Sequence, residues 1–287
     1  MDLGRVGIWW SGSWRVDGTD AAAEVEELGY RTLWLSNGFD ERLSDRFGRL
    51  LSATKTAVVA SGIVSIWHTP AASVATDVSR VEQGRRQRLL LGLGVSHAPL
   101  VDAIGQRYER PYEHMVRYLD GLDDLAATAP GAGADRRVLA ALGPRMLRLA
   151  AERTLGAHPY FVPVAHTARA REILGSGPLL APELAVVLED DRTAARQVAR
   201  RYTEGYLQLP NYANNLRSLG YGDDDLAGAG SDRLVDDVVA SGDLDAIAAR
   251  VRAHHEAGAD HVCLQVVADL ARGFPIDAYR RLAPAVT

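Results

Sequence analysis

Val138-Leu-Ala-Ala-Leu-Gly-Pro-Arg-Met-Leu-Arg-Leu-Ala-Ala-Glu-Arg-Thr-Leu-Gly-Ala-His-Pro-Tyr-Phe-Val162 is the stretch whose reading decides the fold. Its first five residues, Val138 to Leu142, form an apolar run too short for a helix and suited to a strand buried on both faces. Gly143-Pro144 breaks that strand, and proline is at home in the first turn of a helix, where its missing N–H is not needed. Met146, Leu147, Leu149, Ala150 and Leu155 then recur at helical spacing. Gly156 reads as the stop, and Tyr160-Phe161-Val162 as the start of the next strand. A strand–helix–strand unit this short demands parallel strands. The helix opening at Gly143-Pro144 therefore turns its free N–H groups toward the carboxyl edge of the sheet, where anions bind.

The same alternation runs outward in both directions. Upstream, strands are expected at Gly4–Trp10, Tyr30–Leu35, Thr56–Ile66 and Arg88–Leu93. The intervening helices are Asp20–Leu28, Asp45–Thr54, Ala71–Gln83 and, after a loop at 98–108, Pro111–Ala127. A soft Pro130–Ala134 linker leads into the central unit. Downstream come a helix His166–Leu174, a strand Leu184–Leu188 and an amphipathic helix Asp191–Tyr206. An irregular 207–230 segment, helices Asp232–Ala240 and Asp243–Ala257, a strand His261–Val267 and a closing helix after Pro275 complete the chain. Eight strands alternating with helices over 287 residues fit a closed (β/α)₈ TIM barrel of the α/β class. An open doubly wound sheet would want Gly-x-Gly-x-x-Gly, but Gly92-x-Gly94 is followed by Ala98-Pro99. The expectation is one barrel domain over residues 1–287, with 207–240 inserted between strands 7 and 8 as a lid.

Composition narrows the function. With 47% hydrophobic and 24% charged residues the chain has an ordinary globular make-up. A net charge of −5 and the lack of a basic face argue against nucleic acid as partner. Lys55 is the single lysine, so a phosphate would fall to arginine and backbone N–H groups. No apolar run reaches membrane-span length and no signal pattern opens the chain, which points to a cytoplasmic protein. Cys263, alone in Val262-Cys263-Leu264, reads as a buried apolar residue.

In a barrel of this kind chemistry belongs at the carboxyl ends of the strands. Three histidines, His68, His97 and His158, end three strands there, and imidazole suits proton transfer near neutrality. No acid accompanies them and the first strand lacks His-x-His, so no metal site is expected. Trp9, Trp10, Trp67 and Phe161 suggest a flat, partly apolar ligand, and the Gly143-Pro144-Arg145 turn a phosphate on it. Ring plus phosphate describes a flavin-like cofactor.

Leu91-Gly-Leu-Gly-Val-Ser-His-Ala-Pro99, Ala141-Leu-Gly-Pro-Arg-Met-Leu147, Leu155-Gly-Ala-His-Pro-Tyr160, His166-Thr-Ala-Arg-Ala-Arg-Glu-Ile-Leu174 and Leu209-Pro-Asn-Tyr-Ala-Asn-Asn-Leu-Arg217 together resemble the luciferase-like monooxygenase superfamily. They resemble most its branch of probable oxidoreductases that use the deazaflavin coenzyme F420. The resemblance implies a homodimeric barrel that binds F420, or alternatively FMN, and acts on a small organic substrate. It also implies a non-proline cis peptide near Val64-Ser65-Ile66, behind the ring. On this basis the cofactor-binding candidates are Asn37, Ser65, Ile66, Val95, Ser96, Leu142, Gly143, Pro144, Arg145 and His158, and the proton-transfer candidates are His97 and His68. Related deazaflavin sugar-phosphate dehydrogenases carry Asp-His and Gly-Glu where this chain has Asn37-Gly38 and Ser96-His97. Their acid–base residues and phosphate-binding lysines therefore do not carry over. A barrel that has lost its cofactor and serves as a binding subunit is the remaining alternative.

Overall fold

A computed structural model describes residues 1–10, 19–36, 42–129, 131–267 and 273–287. Asn37, expected to contact a cofactor, lies outside the described residues, as do the start of the Pro130 linker and the turn after the last strand. The elements run β1 (Val6–Trp10), α1 (Thr19–Glu27), β2 (Thr32–Leu35), α2 (Leu43–Ala53), β3 (Val58–Ser61), β4 (Val64–Ser65), α3 (Ala71–Arg80), α4 (Gln83–Arg86) and β5 (Leu89–Gly94). They continue with α5 (Ala98–Asp102), α6 (Pro111–Leu125), a 3₁₀ turn (Ala134–Arg136), β6 (Arg137–Leu139), α7 (Pro144–Arg153), β7 (Gly156–Ala157), α8 (Val164–Leu174), β8 (Leu179–Leu180) and β9 (Glu183–Leu188). The last part comprises α9 (Arg192–Leu207), α10 (Pro210–Arg217), α11 (Asp223–Leu226), α12 (Asp232–Val238), β10 (Val239–Gly242), α13 (Leu244–Glu256), β11 (Val262–Val266) and α14 (Ile276–Val286).

Every described strand pairing is parallel. The sheet runs β9-β11-β1-β2-β3-β5-β6-β7-β8. β8 and β9 are two halves of one strand position: β8 registers Leu179 against Gly156, and β9 registers Glu183 against Cys263. Between them Ala181 N–H donates to the Ala157 carbonyl at 2.9 Å, and Cys263 N–H donates to the Pro182 carbonyl at 2.9 Å. The two ends of the sheet meet there, which makes the α/β barrel anticipated from the alternation.

Side chains alternate across the barrel wall, as strand geometry requires. Trp34, Val58, Ala60, Leu90, Val138 and Cys263 fill the interior, with Trp9 packed against them. Trp10 faces outward and stacks on Phe274, 4.1 Å between centroids. Trp10 is thus part of the sheet–helix layer rather than of the mouth.

Several local expectations need correction. The sixth strand is Gly156–Ala157, not Tyr160–Val162. Pro159 and Pro163 bracket the latter run and offer no N–H to a ladder, so its rings pack sideways onto Tyr206 and Tyr212. Gly156 is a strand residue at φ 155° and not the helix stop. Thr56–Ile66 is interrupted after Ser61, and the non-proline cis peptide stands at Gly62–Ile63, two residues before the expected place. Val239–Gly242 is a strand on the edge of β9 rather than a helix end, because its Cα partners run from Ala185 to Leu188. The 207–230 segment carries two helices, α10 and α11.

Gly156 has no alternative residue. A Cβ there would lie 2.0 Å from the Leu179 carbonyl oxygen, which is backbone and has nowhere to go. Gly156→Ala is expected to destabilise the fold by about 3 kcal/mol, measured as a lower urea midpoint with unchanged slope.

Four buried histidines give the fold a pH dependence of known sign. Burial, the main cause in each case, pushes His158, His166 and His261 down to about 4 and His254 to about 3. The unfolded chain therefore takes up more protons than the folded one once the pH drops below their ordinary value of 6.5. Their contribution is complete above that value and disappears as the pH falls toward 4. Calorimetry is expected to show Tm falling across this window.

Candidate active site at the carboxyl rim

The carboxyl ends of the strands surround a cavity of about 330 Å³, within the roughly 300–1,000 Å³ of small-molecule sites. β1 contributes Trp9 and the end of β2 contributes Ser36. The broken third strand adds Gly62, Ile63 and Ser65, while β5 and its exit add Gly94, Val95, Ser96 and His97. Ala140, Ala141 and Leu142 follow β6, and His158 and Tyr160 follow β7. The remaining wall comes from Tyr206 at the end of α9 and from Asn211 and Tyr212 on α10.

Two imidazoles face this space with lone pairs. His158 stacks on Trp34, 4.0 Å between centroids and 10° apart, and its Nδ1–H donates to the Ala181 carbonyl at 2.6 Å. That bond fixes the tautomer and leaves Nε2 as an acceptor. Nε2 is buried and has no hydrogen-bond partner among the described residues. A Cβ on Gly62 would stand 3.5 Å from it, in the very space the glycine leaves open. Beneath, Trp34 Nε1–H donates to His261 Nε2 at 3.0 Å, and His261 Nδ1–H donates to the Gly4 carbonyl at 2.8 Å.

His97 follows Ser96, whose left-handed φ of 56° turns the chain at the end of β5. Its Nδ1–H donates to Asn211 Oδ1 at 2.9 Å. Burial lowers its pKa from 6.5 and the Asn211 bond opposes the shift, so the ring is neutral at pH 7 with Nε2 as acceptor.

The expected residues divide accordingly. His97, His158, Ser65, Val95, Ser96 and Leu142 line the cavity. His68 does not; it sits behind Ser65, Nδ1 to Oγ 2.9 Å, and burial lowers its pKa. Ile66 is buried in the sheet–helix core, and Ile63 takes the place expected of it on the lining. Gly143, Pro144 and Arg145 stand just beyond Leu142. No side chain caps α7, and a Cβ on its N-cap Gly143 would meet nothing within 4 Å. The Arg145 guanidinium is drawn instead onto the Tyr112 ring, 4.2 Å from its centroid. Trp67 packs against His114, and Phe161 against Tyr206, so of the four aromatic residues expected at the mouth only Trp9 lines it.

A model of the luciferase-like monooxygenase family matches residues 17–261. The chain belongs to that family. Solved structures give the same fold at low identity. An F420-dependent secondary alcohol dehydrogenase in complex with an F420–acetone adduct aligns with TM-score 0.74 and 15% identity over 100% of both chains. The coenzyme F420-dependent tetrahydromethanopterin reductase of Methanopyrus kandleri aligns with TM-score 0.72 and 13% identity over 99% of both. The oxygenating constituent of 3,6-diketocamphane monooxygenase from Pseudomonas putida, a type II Baeyer–Villiger enzyme in complex with FMN, aligns with TM-score 0.68 and 18% identity, over 99% of this chain and 98% of that one. No curated protein matches.

In this member of the luciferase-like family several site residues have no counterpart among the sequence-derived candidates. Asn211 and Tyr212 lie within a quoted motif but in a segment read as irregular. Tyr202 and Tyr206 share a helix face at i, i+4 spacing, a signal that was available. Glu183 had none: a lone acid before an apolar strand reads as a solvated strand end, yet it is 1% exposed. Among the described residues no three His, Cys, Asp or Glu side chains come together to hold a metal ion, and no helix is long and apolar enough to cross a membrane.

Proposed function

We propose that the chain is an oxidoreductase that moves a hydride between the deazaflavin coenzyme F420 and a small organic substrate. The observation that carries this reading is the pair of lone-pair-bearing imidazoles, His97 and His158, on one cavity beside an uncapped helix N-terminus. A buried acceptor without a partner, such as His158 Nε2, calls for a ligand that donates to it, and a heteroaromatic ring edge carrying N–H does so. Gly62 leaves room for that edge. The Arg145 and Met146 N–H groups and the helix dipole suit a phosphate at the Gly143-Pro144 turn, with Ser65, Val95, Ser96 and Leu142 as flanking contacts.

Bound there, the deazaflavin ring supplies a two-electron hydride donor or acceptor. The chain's own residues do the rest. The apolar wall excludes water. His97, neutral and oriented by Asn211, takes the proton of a substrate hydroxyl as the carbon gives up hydride. Helices α10 to α12 act as a lid, since Asn211 and Tyr212 close one side of the cavity.

Spectroscopic titration with F420 and with FMN, followed by anaerobic turnover with the coenzyme that binds, tests the proposal. Saturable F420 binding with coenzyme-dependent oxidation or reduction is expected. Tight FMN binding without affinity for F420 would make the protein a flavin-dependent monooxygenase, and binding of neither would make it a non-catalytic subunit.

A further inference from the structure

Behind the cavity wall a buried carboxyl is joined to two tyrosines of the lining. Glu183 Oε2 accepts the Phe161 N–H at 3.1 Å, and the left-handed φ of 57° at Phe161 belongs to the turn that presents this N–H. Glu183 Oε1 lies 3.3 Å from Tyr202 Oη, Tyr202 Oη 3.2 Å from Tyr160 Oη, and Tyr160 Oη 2.7 Å from Tyr206 Oη. Tyr160 Oη also lies 2.6 Å from Gln265 Oε1. Tyr160 and Tyr206 line the cavity.

Counting protons favours a neutral carboxyl, because three phenol protons face four contacts. A carbonyl oxygen only accepts, so Tyr160 donates to Gln265. With Tyr206 and Tyr202 both donating to Tyr160 Oη, all three phenol protons are used. The contact between Tyr202 and Glu183 is left without one unless the carboxyl carries it. The surroundings agree. Glu183 faces Tyr160 from the turn after β7, Tyr202 and Tyr206 from α9, Tyr212 from α10, Cys263 from β11 and Tyr279 from α14. It forms no ion pair among the described residues, and burial pushes its pKa up to about 8.

We infer that Glu183 is a proton store wired to the cavity through Tyr202 and Tyr160. Its role in turnover rests on the hydride transfer proposed above. Were hydride delivered to a carbonyl or imine carbon by a bound reduced deazaflavin, a C–H bond would form and the π electrons would move to the oxygen or nitrogen. That atom takes the proton of Tyr206 or Tyr160, each phenol takes one from its neighbour, and Glu183 is left as carboxylate. The Phe161 N–H then stabilises that charge, and the store refills from solvent along the same hydroxyls. A substrate whose carbonyl or imine lies on the tyrosine side of the cavity, rather than against His97, draws its proton from this group in reduction and returns it there in oxidation.

Infrared spectroscopy of the ligand-free protein tests the inference independently of any coenzyme. A protonated carboxyl C=O band is expected at neutral pH, absent in Glu183→Gln, whose amide keeps both hydrogen bonds and therefore the fold. On transfer to D₂O the band should shift quickly in the wild type. In Tyr202→Phe, which keeps the ring and removes the linking hydroxyl, the shift should be slower by about an order of magnitude or more, because exchange then needs local opening. A carboxylate band in place of the acid, or equal exchange rates in wild type and Tyr202→Phe, would overturn the inference. Failure of F420 to bind would remove the hydride reading and leave this result standing.

Discussion

Replacing His97 by alanine is expected to lower kcat for F420-linked oxidation of a hydroxyl substrate by about 10²–10⁴-fold, the usual weight of a positioned proton acceptor, with Tm almost unchanged. The imidazole sits at the rim of the barrel, and its removal empties space that already opens into the cavity, so little packing is lost. The pH profile separates a chemical role from a structural one. Burial holds the His97 pKa below 6.5, and the neutral form is the competent base. Activity in the oxidising direction should therefore rise with pH through that lowered value and stay level above it. In His97→Ala this acid limb should vanish. Asn211→Ala should give a smaller loss, because the ring stays in place but its tautomer is no longer held by the Asn211 side chain.

The second large effect is expected at the α7 turn. Gly143→Asp should weaken binding of the phosphate-bearing coenzyme by about tenfold or more, at least ~1.4 kcal/mol. An aspartate at this position has room, since nothing lies within 4 Å of the new Cβ. The backbone there is extended, φ −86° and ψ 159°, as N-cap residues prefer, and aspartate caps helices at least as well as glycine. The fold should thus be unharmed or slightly firmer. The carboxylate would occupy the N–H groups and oppose the charge of a phosphate. Loss of affinity together with an unchanged or higher Tm is the signature expected.

The barrel was legible because its evidence is periodic. Short β-branched and apolar runs alternate with amphipathic helices, and the pattern survives errors in any one element. What failed to read were places where tertiary contacts override the local pattern. Tyr160-Phe161-Val162 looks like a strand but is held in a turn whose rings pack onto α9 and α10, while the true sixth strand is only Gly156–Ala157. Val239–Gly242 continues a helical pattern, yet the exposed edge of β9 recruits it as a strand. At the site, His97 and His158 were visible because strand ends locate them, whereas His68 falls behind Ser65 once the third strand is interrupted at Gly62–Ile63. Glu183 was invisible for a different reason: its burial depends on six aromatic and thiol neighbours drawn from distant parts of the chain, and no short window contains them.

The proposed function requires the α7 turn to hold the phosphate of a ring cofactor bound in the cavity. Affinity of the wild type and of Gly143→Asp for the coenzyme and for its unphosphorylated ring–ribityl fragment measures this directly. The wild type should favour the phosphorylated form by about tenfold or more, and Gly143→Asp should lose that preference while binding the fragment as well as the wild type does. Equal affinity of the wild type for both forms, or a preference that survives in Gly143→Asp, would contradict it.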